Sequence, residues 1–251
     1  MTAPARPAPP VVRVGVVEST QAVAWRLAAD GAADRTVVVA DHQTAGRGRR
    51  GRAWEDEPGA SLLVSLVVRP RLPAALRPAL SLAAGVAVVE TLAGAAGLAA
   101  RLKWPNDVLV GGRKLAGILV ESRGGEPATL VVGVGVNLAQ RSFPDALAAR
   151  ATSVWLETGR APDREAVLAA LLDAFDAWRA RLEREGMAPL AARWGELADT
   201  LGRRVTADGV AGVAVGLAAD GALLVDDGAG LRRVVSGEIA IESGVDHAPG
   251  R

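Results

Sequence analysis

The chain has no cysteine in its 251 residues, which excludes disulfides, thiolate nucleophiles and zinc–thiolate sites. It has two histidines, His42 and His247, far apart in sequence, so no histidine-based or other dedicated protein metal site is expected. Any metal would be magnesium, held by carboxylates and a substrate phosphate. Tyrosine is absent and phenylalanine occurs twice, leaving no aromatic-rich surface of the kind that stacks nucleic-acid bases. The net charge of +1 excludes a globally basic nucleic-acid binder and leaves only a local basic patch open. The opening MTAPARPAPP has no apolar run and reads as a disordered lead-in, not a signal peptide. A long apolar stretch, Leu80 to Leu102, carries Glu90 at its centre. That carboxylate would cost about 2.5–3.5 kcal/mol in a bilayer. A helix buried in a soluble domain is the expectation, with no membrane partner and a cytoplasmic location.

Lysine is nearly absent too. Of 29 basic residues only Lys103 and Lys114 are lysines, and both lie in Arg101-Leu-Lys-Trp-Pro-Asn-Asp-Val-Leu-Val-Gly-Gly-Arg-Lys-Leu-Ala-Gly117. Arginine serves everywhere else. Lysine differs in being a compact point charge suited to gripping a carboxylate or phosphate in a small site. Chance could place two lysines together, so their neighbours must decide.

Half the residues are apolar, enough for a sizeable core. Val11–Val17, Thr36–Ala40, Ser61–Val68 and Thr129–Asn137 read as strands. Val108–Val110 and Lys114–Glu121 flank Gly111-Gly112, a hairpin signal. Ser19 and Thr20 stand at a helix start before Ala22–Ala29. Longer helices are expected over about 77–96, 163–185 and 189–198. From Leu201 onward, short strands alternate with Asp-Gly turns and predict a small antiparallel barrel, too small to stand alone. The fold class is therefore α+β: a mixed β-sheet with helices plus a small C-terminal barrel. The expected division is 1–10 tail, 11–199 main domain, 200–243 barrel and 244–251 tail.

Two segments carry chemistry. In Gln43-Thr-Ala-Gly-Arg-Gly-Arg-Arg-Gly-Arg-Ala-Trp54, the glycines Gly46, Gly48 and Gly51 formally match a dinucleotide fingerprint. That fingerprint needs a following helix and an acidic residue about 20 positions on. Here Trp54-Glu-Asp-Glu-Pro-Gly59 does not open a helix, and positions 69–71 are Arg-Pro-Arg. What remains is a loop in which Arg47, Arg49, Arg50 and Arg52 alternate with glycine. Arginine forks fit phosphate or carboxylate oxygens, and glycine lets backbone fold closely over an anion. A solvated basic loop or a nucleic-acid contact would use the same residues. Without ligand, mutual repulsion of the arginines predicts a disordered loop. The second segment, Lys103-Trp-Pro-Asn-Asp107, sets an amine, an amide and a carboxylate within five residues. A turn explains Pro105, Asn106 and Asp107; it does not explain Lys103 or Lys114.

Together with Arg113-Lys-Leu-Ala-Gly117, Val132-Gly-Val-Gly-Val-Asn137 and Ser236-Gly-Glu-Ile239, these segments resemble, in order, those of biotin protein ligases. The likeness spans about residues 11–243 and includes the barrel, which resembles that family's SH3-like domain. It implies a class II synthetase-like catalytic domain of the biotin/lipoate ligase type, with biotin and ATP as substrates and Mg2+ as cofactor. Biotinyl-AMP would form and pass its biotin to a lysine of a biotin carboxyl carrier domain. With the first strand at Val11, the resemblance is to the monofunctional type lacking an N-terminal DNA-binding domain, so no DNA partner is expected. A homodimer through a sheet edge stays open.

The resemblance also implies roles. Ser19 and Thr20 would touch the biotin rings, with Gln21 where the family usually has asparagine. Gln43 and Gly46 would line the biotin pocket, and Arg47, Gly48 and Arg49 would close over carboxylate and phosphate. Lys114 would hold the biotin carboxylate and Gly117 would let the ligand lie against the strand. Lys103 would stabilise charge on the α-phosphate. Arg49, Arg50, Arg52, Asn106 and Asn137 would face the nucleotide. Trp54 would cover the adenine or belong to the core. Asp107 would be the base for the incoming lysine, or would orient Lys103 or bind magnesium; Lys103, Lys114, Arg49 and Asp107 form the catalytic set. After the last strand some members use a basic residue; this chain has Glu242, so that contribution would be absent or would come from Arg232 or Arg233. Lipoate ligases and octanoyl transferases are the nearest rivals, but they lack the arginine–glycine run. Lys114→Arg keeps the charge but enlarges the head group and is expected to remove most ligase activity, measured as pyrophosphate release.

Overall fold

The computed structural model describes residues 8–123 and 128–241. Seven strands form one sheet: β1 (Val11–Val17), β2 (Val37–Gln43), β3 (Ser61–Val68), β4 (Arg101–Lys103), β5 (Asp107–Val110), β6 (Arg113–Arg123) and β7 (Thr129–Asn137). Their order is β1-β2-β3-β7-β6-β5-β4. Only β1 and β2 run parallel; the remaining neighbours are antiparallel, so the sheet is mixed.

The two faces of the sheet are covered differently. On one lies the apolar helix α2 (Ala79–Ala96), buried along most of its length in the main core. Gly97, at φ 64°, ends it, donating its N–H to Ala93 O, the left-handed stop that glycine adopts without a Cβ clash. On the opposite face sits α1 (Thr20–Ala29), whose Ala24 and Trp25 pack on Val38, Val67 and Val131. This helix covers only part of its face.

Four further helices follow: α3 (Asp145–Ala148), α4 (Val154–Thr158), α5 (Arg164–Glu185) and α6 (Met187–Leu197). Asp163 caps α5 through the Glu165 N–H at 3.0 Å. The stripe Val167, Leu168, Leu171, Leu172, Phe175 and Trp178 is buried as its spacing predicts. Glu90, the one acid in the long apolar stretch, accepts from Trp178 Nε1 at 2.8 Å and from Arg193 Nε at 2.8 Å. It ties α2 to α5 and α6, which is why a carboxylate is tolerated there.

The C-terminal unit is a five-stranded antiparallel sheet: β8 (Arg204–Ala207), β9 (Val210–Leu217), β10 (Leu223–Asp226), β11 (Leu231–Val234) and β12 (Ala240–Ile241), in the order β11-β10-β9-β8-β12. It does not stand apart. Val205, Ala214 and Leu223 belong to the same apolar cluster as α2. Trp104 donates its indole N–H to Gly221 O at 3.1 Å, and its backbone N–H to Thr200 Oγ1 at 3.0 Å.

Several sequence expectations shift. The second strand runs to Gln43 instead of ending at Ala40, because β1 pairs with it in parallel through the Val17–Gln43 pair. No sequence signal marks β4: three residues carry no period, and its outer edge is closed by the 198–200 segment, with Asp199 N–H bonded to Leu102 O at 2.8 Å. The short helices α3 and α4 were unforeseen for the same reason. The last described strand has only two residues, Ala240–Ile241. Glu242, residues 1–7 of the first tail and the whole of the second lie outside the described residues. Replacing Glu90 with Ala strips two donors of their partner. Stability should fall by about 1–2 kcal/mol, or roughly 2–6 °C in Tm, read by thermal unfolding.

Candidate functional site

Register decides what faces the cavity, because residues directly opposite on neighbouring antiparallel strands share a face. Lys103 pairs with Asp107, Asp107 with Gly117, Gly117 with Gly135 and Gly135 with Leu63. This row crosses five strands. The next row on the same face is Leu119, Gly133 and Ser65. All eight residues line one cavity of about 400 Å³, on the face that α1 leaves uncovered. The three glycines remove side chains from its floor.

Strict alternation would send Lys114 to the opposite face from Gly117. A β-bulge corrects this. Val108 pairs with Ala116 but Leu109 pairs with Lys114, so Leu115 is skipped and turns into the core. Lys114 then falls on the cavity face: a Cβ on Gly117 would stand 3.1 Å from Lys114 Cε. Beyond the bulge its backbone pairs elsewhere, Lys114 N–H to Arg150 O at 2.7 Å and Thr152 N–H to Lys114 O at 2.9 Å. Bulges commonly re-aim a side chain beside a site. Lys114 Nζ lies 2.6 Å from Asp107 Oδ1. Asp107 is therefore the ion-pair partner of Lys114 while standing opposite Lys103 in register.

The arginine loop forms the lid, and it has a folded path where disorder was expected. Gly48 N–H bonds Arg52 O at 2.7 Å, Trp54 N–H bonds Gly46 O at 2.9 Å, and Arg47 bridges Ala53. Acceptors offset the crowding of charge. Arg49 Nη1 reaches Asn106 Oδ1 at 3.2 Å and Gly237 O at 3.3 Å; Arg52 pairs with Glu238 at 2.8 Å; Arg47 lies 3.7 Å from Glu121. Burial, and next the charge of Arg50, hold the Arg49 guanidinium below its ordinary pKa, with Asp107 opposing. Asp56 clasps the base of the loop, accepting from Gln43 N–H at 3.2 Å and meeting His42 Nδ1 at 2.9 Å.

Trp54 lies flat against the floor. A Cβ on Gly135 would stand 2.6 Å from Trp54 Cε2, and one on Gly117 would stand 3.0 Å from its Cζ3. Lys114 Nζ sits 5.8 Å from its ring centre. The closed end is polar. Gln43 Oε1 accepts from Thr20 N–H at 2.8 Å and Thr20 Oγ1 at 3.0 Å, and Ser65 Oγ donates to Thr20 Oγ1 at 2.8 Å. Ser19 Oγ, Gln21 Oε1 and Trp54 Nε1 are buried without partners.

The comparisons meet this geometry. Residues 14–137 match the biotin/lipoate A/B protein ligase family, and residues 200–241 match the biotin protein ligase C terminal domain. The biotin--[acetyl-CoA-carboxylase] ligase of Paracoccus denitrificans is 41% identical over 233 residues, 88% of this chain and 96% of the relative. The chain belongs to the biotin protein ligases. The Mycobacterium tuberculosis ligase of the same name is 39% identical, with 91% and 84% covered. The bifunctional ligase/repressor BirA of Bacillus subtilis is 36% identical, and the chain spans 72% of it. The Aquifex aeolicus biotin protein ligase, solved in complex with biotin and ATP, superposes with a TM-score of 0.82 at 30% identity, covering 94% of this chain and 99% of that one.

The ligase's cavity brings together Ser19, Thr20, Gln21, Gln43, Arg47, Gly48, Arg49, Arg52, Trp54, Lys103, Asn106, Asp107, Lys114, Gly117 and Asn137. It does not bring in Gly46 or Arg50. Gly46 is buried where the loop closes, crowded by the Trp54 carbonyl, and Arg50 is exposed at φ 55° on the outer side. The amides of Asn106 and Asn137 are committed to protein. Asn106 donates to Ile118 O at 3.0 Å, besides accepting from Arg49. Asn137 donates to Thr152 O at 3.0 Å and accepts from Gln140 at 3.2 Å. Arg232 and Arg233 face away, paired with Asp227 and Asp220, each at 2.6 Å. Sequence reading missed Phe143, Leu147, Arg150 and Ala151, which line the other end of the cavity beside Leu109. The Lys114 backbone, with Asn137, holds that segment in place. Gly135→Ala should leave the fold intact but push Trp54 off the floor, raising the KM for biotin by about tenfold or more; steady-state biotinylation kinetics beside a thermal melt check both.

Proposed function

We propose that this ligase activates biotin with ATP and transfers it to a lysine of a carrier domain of an acyl-CoA carboxylase. The observation that carries the reading is convergence: Lys103, Lys114, Arg47, Arg49 and Arg52 line one cavity with a polar closed end and an opposite end walled by Leu109, Phe143, Leu147 and Ala151. The named relatives and the Aquifex aeolicus complex with biotin and ATP supply the substrates.

A carboxylate is a poor electrophile, so it must first become a mixed anhydride. Two anions, the biotin carboxylate and the α-phosphate, have to meet, and each repels the other in proportion to how little water separates them. Fixed cations in a site shielded from water remove that barrier at small reorganisation cost. Biotin would lie with its rings at the closed end near Ser19, Thr20 and Gln21. Its tail would run along β6 to Gly117, against which the Lys114 ammonium lies. The nucleotide would occupy the end lined by Leu109, Phe143, Leu147 and Ala151.

In the first step a carboxylate oxygen of biotin attacks the α-phosphorus and the bond to the β-phosphate oxygen breaks, releasing pyrophosphate. Lys114 would hold the carboxylate, and Lys103 with Arg49 would take the charge developing on the phosphoryl oxygens. In the second step the neutral amine of the carrier lysine attacks the acyl carbon and AMP leaves. Asp107, paired with Lys114 on the cavity floor, would accept the proton that the amine loses. The arginine loop with Trp54 would keep water from the adenylate meanwhile.

Magnesium would come with the nucleotide. No group of three or more histidine or acidic residues able to hold a metal occurs among the described residues, and Asp107 already has a cationic partner. The donor set does not make a resident metal site. Exchange of labelled pyrophosphate into ATP should require biotin and should not be supported by lipoate. Exchange with lipoate alone, or independent of both acids, would refute the assignment.

A further inference from the structure

Biotinyl-AMP is a mixed anhydride, and a neutral primary amine that reaches its acyl carbon takes the biotin and expels AMP. A flexible lysine beside the cavity would do this without any carrier. Tethered to the site, it would be presented at an effective concentration on the order of millimolar. A ligase that holds such an intermediate until a second protein arrives therefore has a competitor in its own surface.

The chain lacks that competitor. Both of its lysines line the cavity, and every other basic residue is arginine. A guanidinium keeps its proton to a pKa above about 12 and has no lone pair to offer, whereas an exposed lysine is neutral about once in a thousand at three pH units below its pKa. Arg47, Arg52 and Arg150 are exposed and line the cavity. Arg50 is exposed on the outer side of the lid, its Nη2 directed to Gly237, where a Cβ would stand 3.9 Å from it. Bridging explains arginine at 47 and 52. It does not explain Arg150, whose Nη2 donates to Ala146 O at 2.8 Å within its own turn, a bond that a lysine also makes. The two lysines that remain are placed differently. Lys114 is ion-paired with Asp107 Oδ1 at 2.6 Å, and Lys103 stands opposite Asp107 in register; an ammonium so paired has no lone pair with which to attack.

We infer that the lysine-free rim is a specificity device: it confines acyl transfer to an amine delivered by a partner, because no side chain of the ligase competes for the intermediate it holds. In the reaction that is excluded, the neutral amine nitrogen bonds to the acyl carbon and the bond from that carbon to the phosphate oxygen breaks. AMP leaves with the electron pair, and the nitrogen gives its extra proton to water. A lysine placed on the rim becomes a site of self-biotinylation. This rests on the biotin reading above and deepens it, adding which amines the site denies to the one it accepts.

The test uses the full chain without a carrier, supplied with biotinyl-AMP so that the activation step is not what is read. Peptide mass spectrometry then locates any biotin. The unaltered chain should carry none on Lys103 or Lys114. Arg50→Lys on the lid and Arg150→Lys at the nucleotide end should each take up biotin at the new lysine. The control is Arg184→Lys, on an exposed side chain of α5, which packs with α2 on the other face of the sheet. Both rim variants should label about tenfold or more faster than this control. Biotin on Lys103 or Lys114 of the unaltered chain, no label on either rim variant, or a control that labels as fast as the rim would overturn the inference. Biotin-dependent pyrophosphate exchange by the unaltered chain is measured alongside. Its presence with unlabelled rim variants sinks the inference alone, and its absence sinks the biotin reading beneath it.

Discussion

The contact between Lys114 and Asp107 is the constraint on which the site depends. At 2.6 Å it fixes an ammonium at the middle of the cavity floor. That position is reached only because β6 skips Leu115 against β5. The same bulge satisfies two needs with one irregularity. It buries a leucine against α2 and frees the Lys114 backbone to pair with residues 150–152. The segment that walls the far end of the cavity is thus held by the residue that holds the charge. An account in which Lys114 is only a surface cation would leave the bulge and the 150–152 pairing without a common cause.

The lid and the C-terminal sheet depend on that arrangement in turn. Arg49 spans Asn106 in the turn beside Lys103 and the carbonyl of Gly237 in the C-terminal unit. Arg52 reaches Glu238 in the same unit. The arginine loop is thus clamped between two bodies that already share one apolar cluster. Exposed ion pairs such as Arg52–Glu238 contribute little individually. The half-buried Arg49 matters more, since its desolvation must be met by both acceptors at once.

How much of this the sequence disclosed varied with scale. Strands of seven or more residues and the amphipathic α5 were legible because their periods extend over several repeats. The three-residue β4 and the short α3 and α4 were not, because a period cannot be seen in so few positions. For the site, the arginine loop and the two lysines stood out by residue type. Their partners did not. That Asp107 meets Lys114 follows from a register shift, and that Asn106 and Asn137 spend their amides on protein follows from neighbours twelve to fifteen residues away. Phe143 and Leu147 carried no signal at all, being ordinary apolar residues whose meaning comes from where the bulge places them. Gly46 and Gly48 read alike in sequence, yet one closes the loop and the other lines the cavity.

The unusual basic composition now has a physical account. Every arginine in the loop that reaches the cavity spans to a residue outside the loop: Arg47 to Glu121, Arg49 to Asn106 and Gly237, Arg52 to Glu238. A long side chain with a rigid fork suits such bridging. Lys114 works under the opposite demand. Its terminal carbons lie against Gly117, where even a Cβ would come within 3.2 Å of Nζ, with Trp54 covering the same glycine. A planar guanidinium in that space would have to displace either the indole or Asp107. Lys103 stands at the end of a three-residue strand, opposite Asp107, and faces the same narrow floor. Two positions in the chain therefore need a compact charge in a shallow glycine-floored groove, and those two positions are where lysine is found.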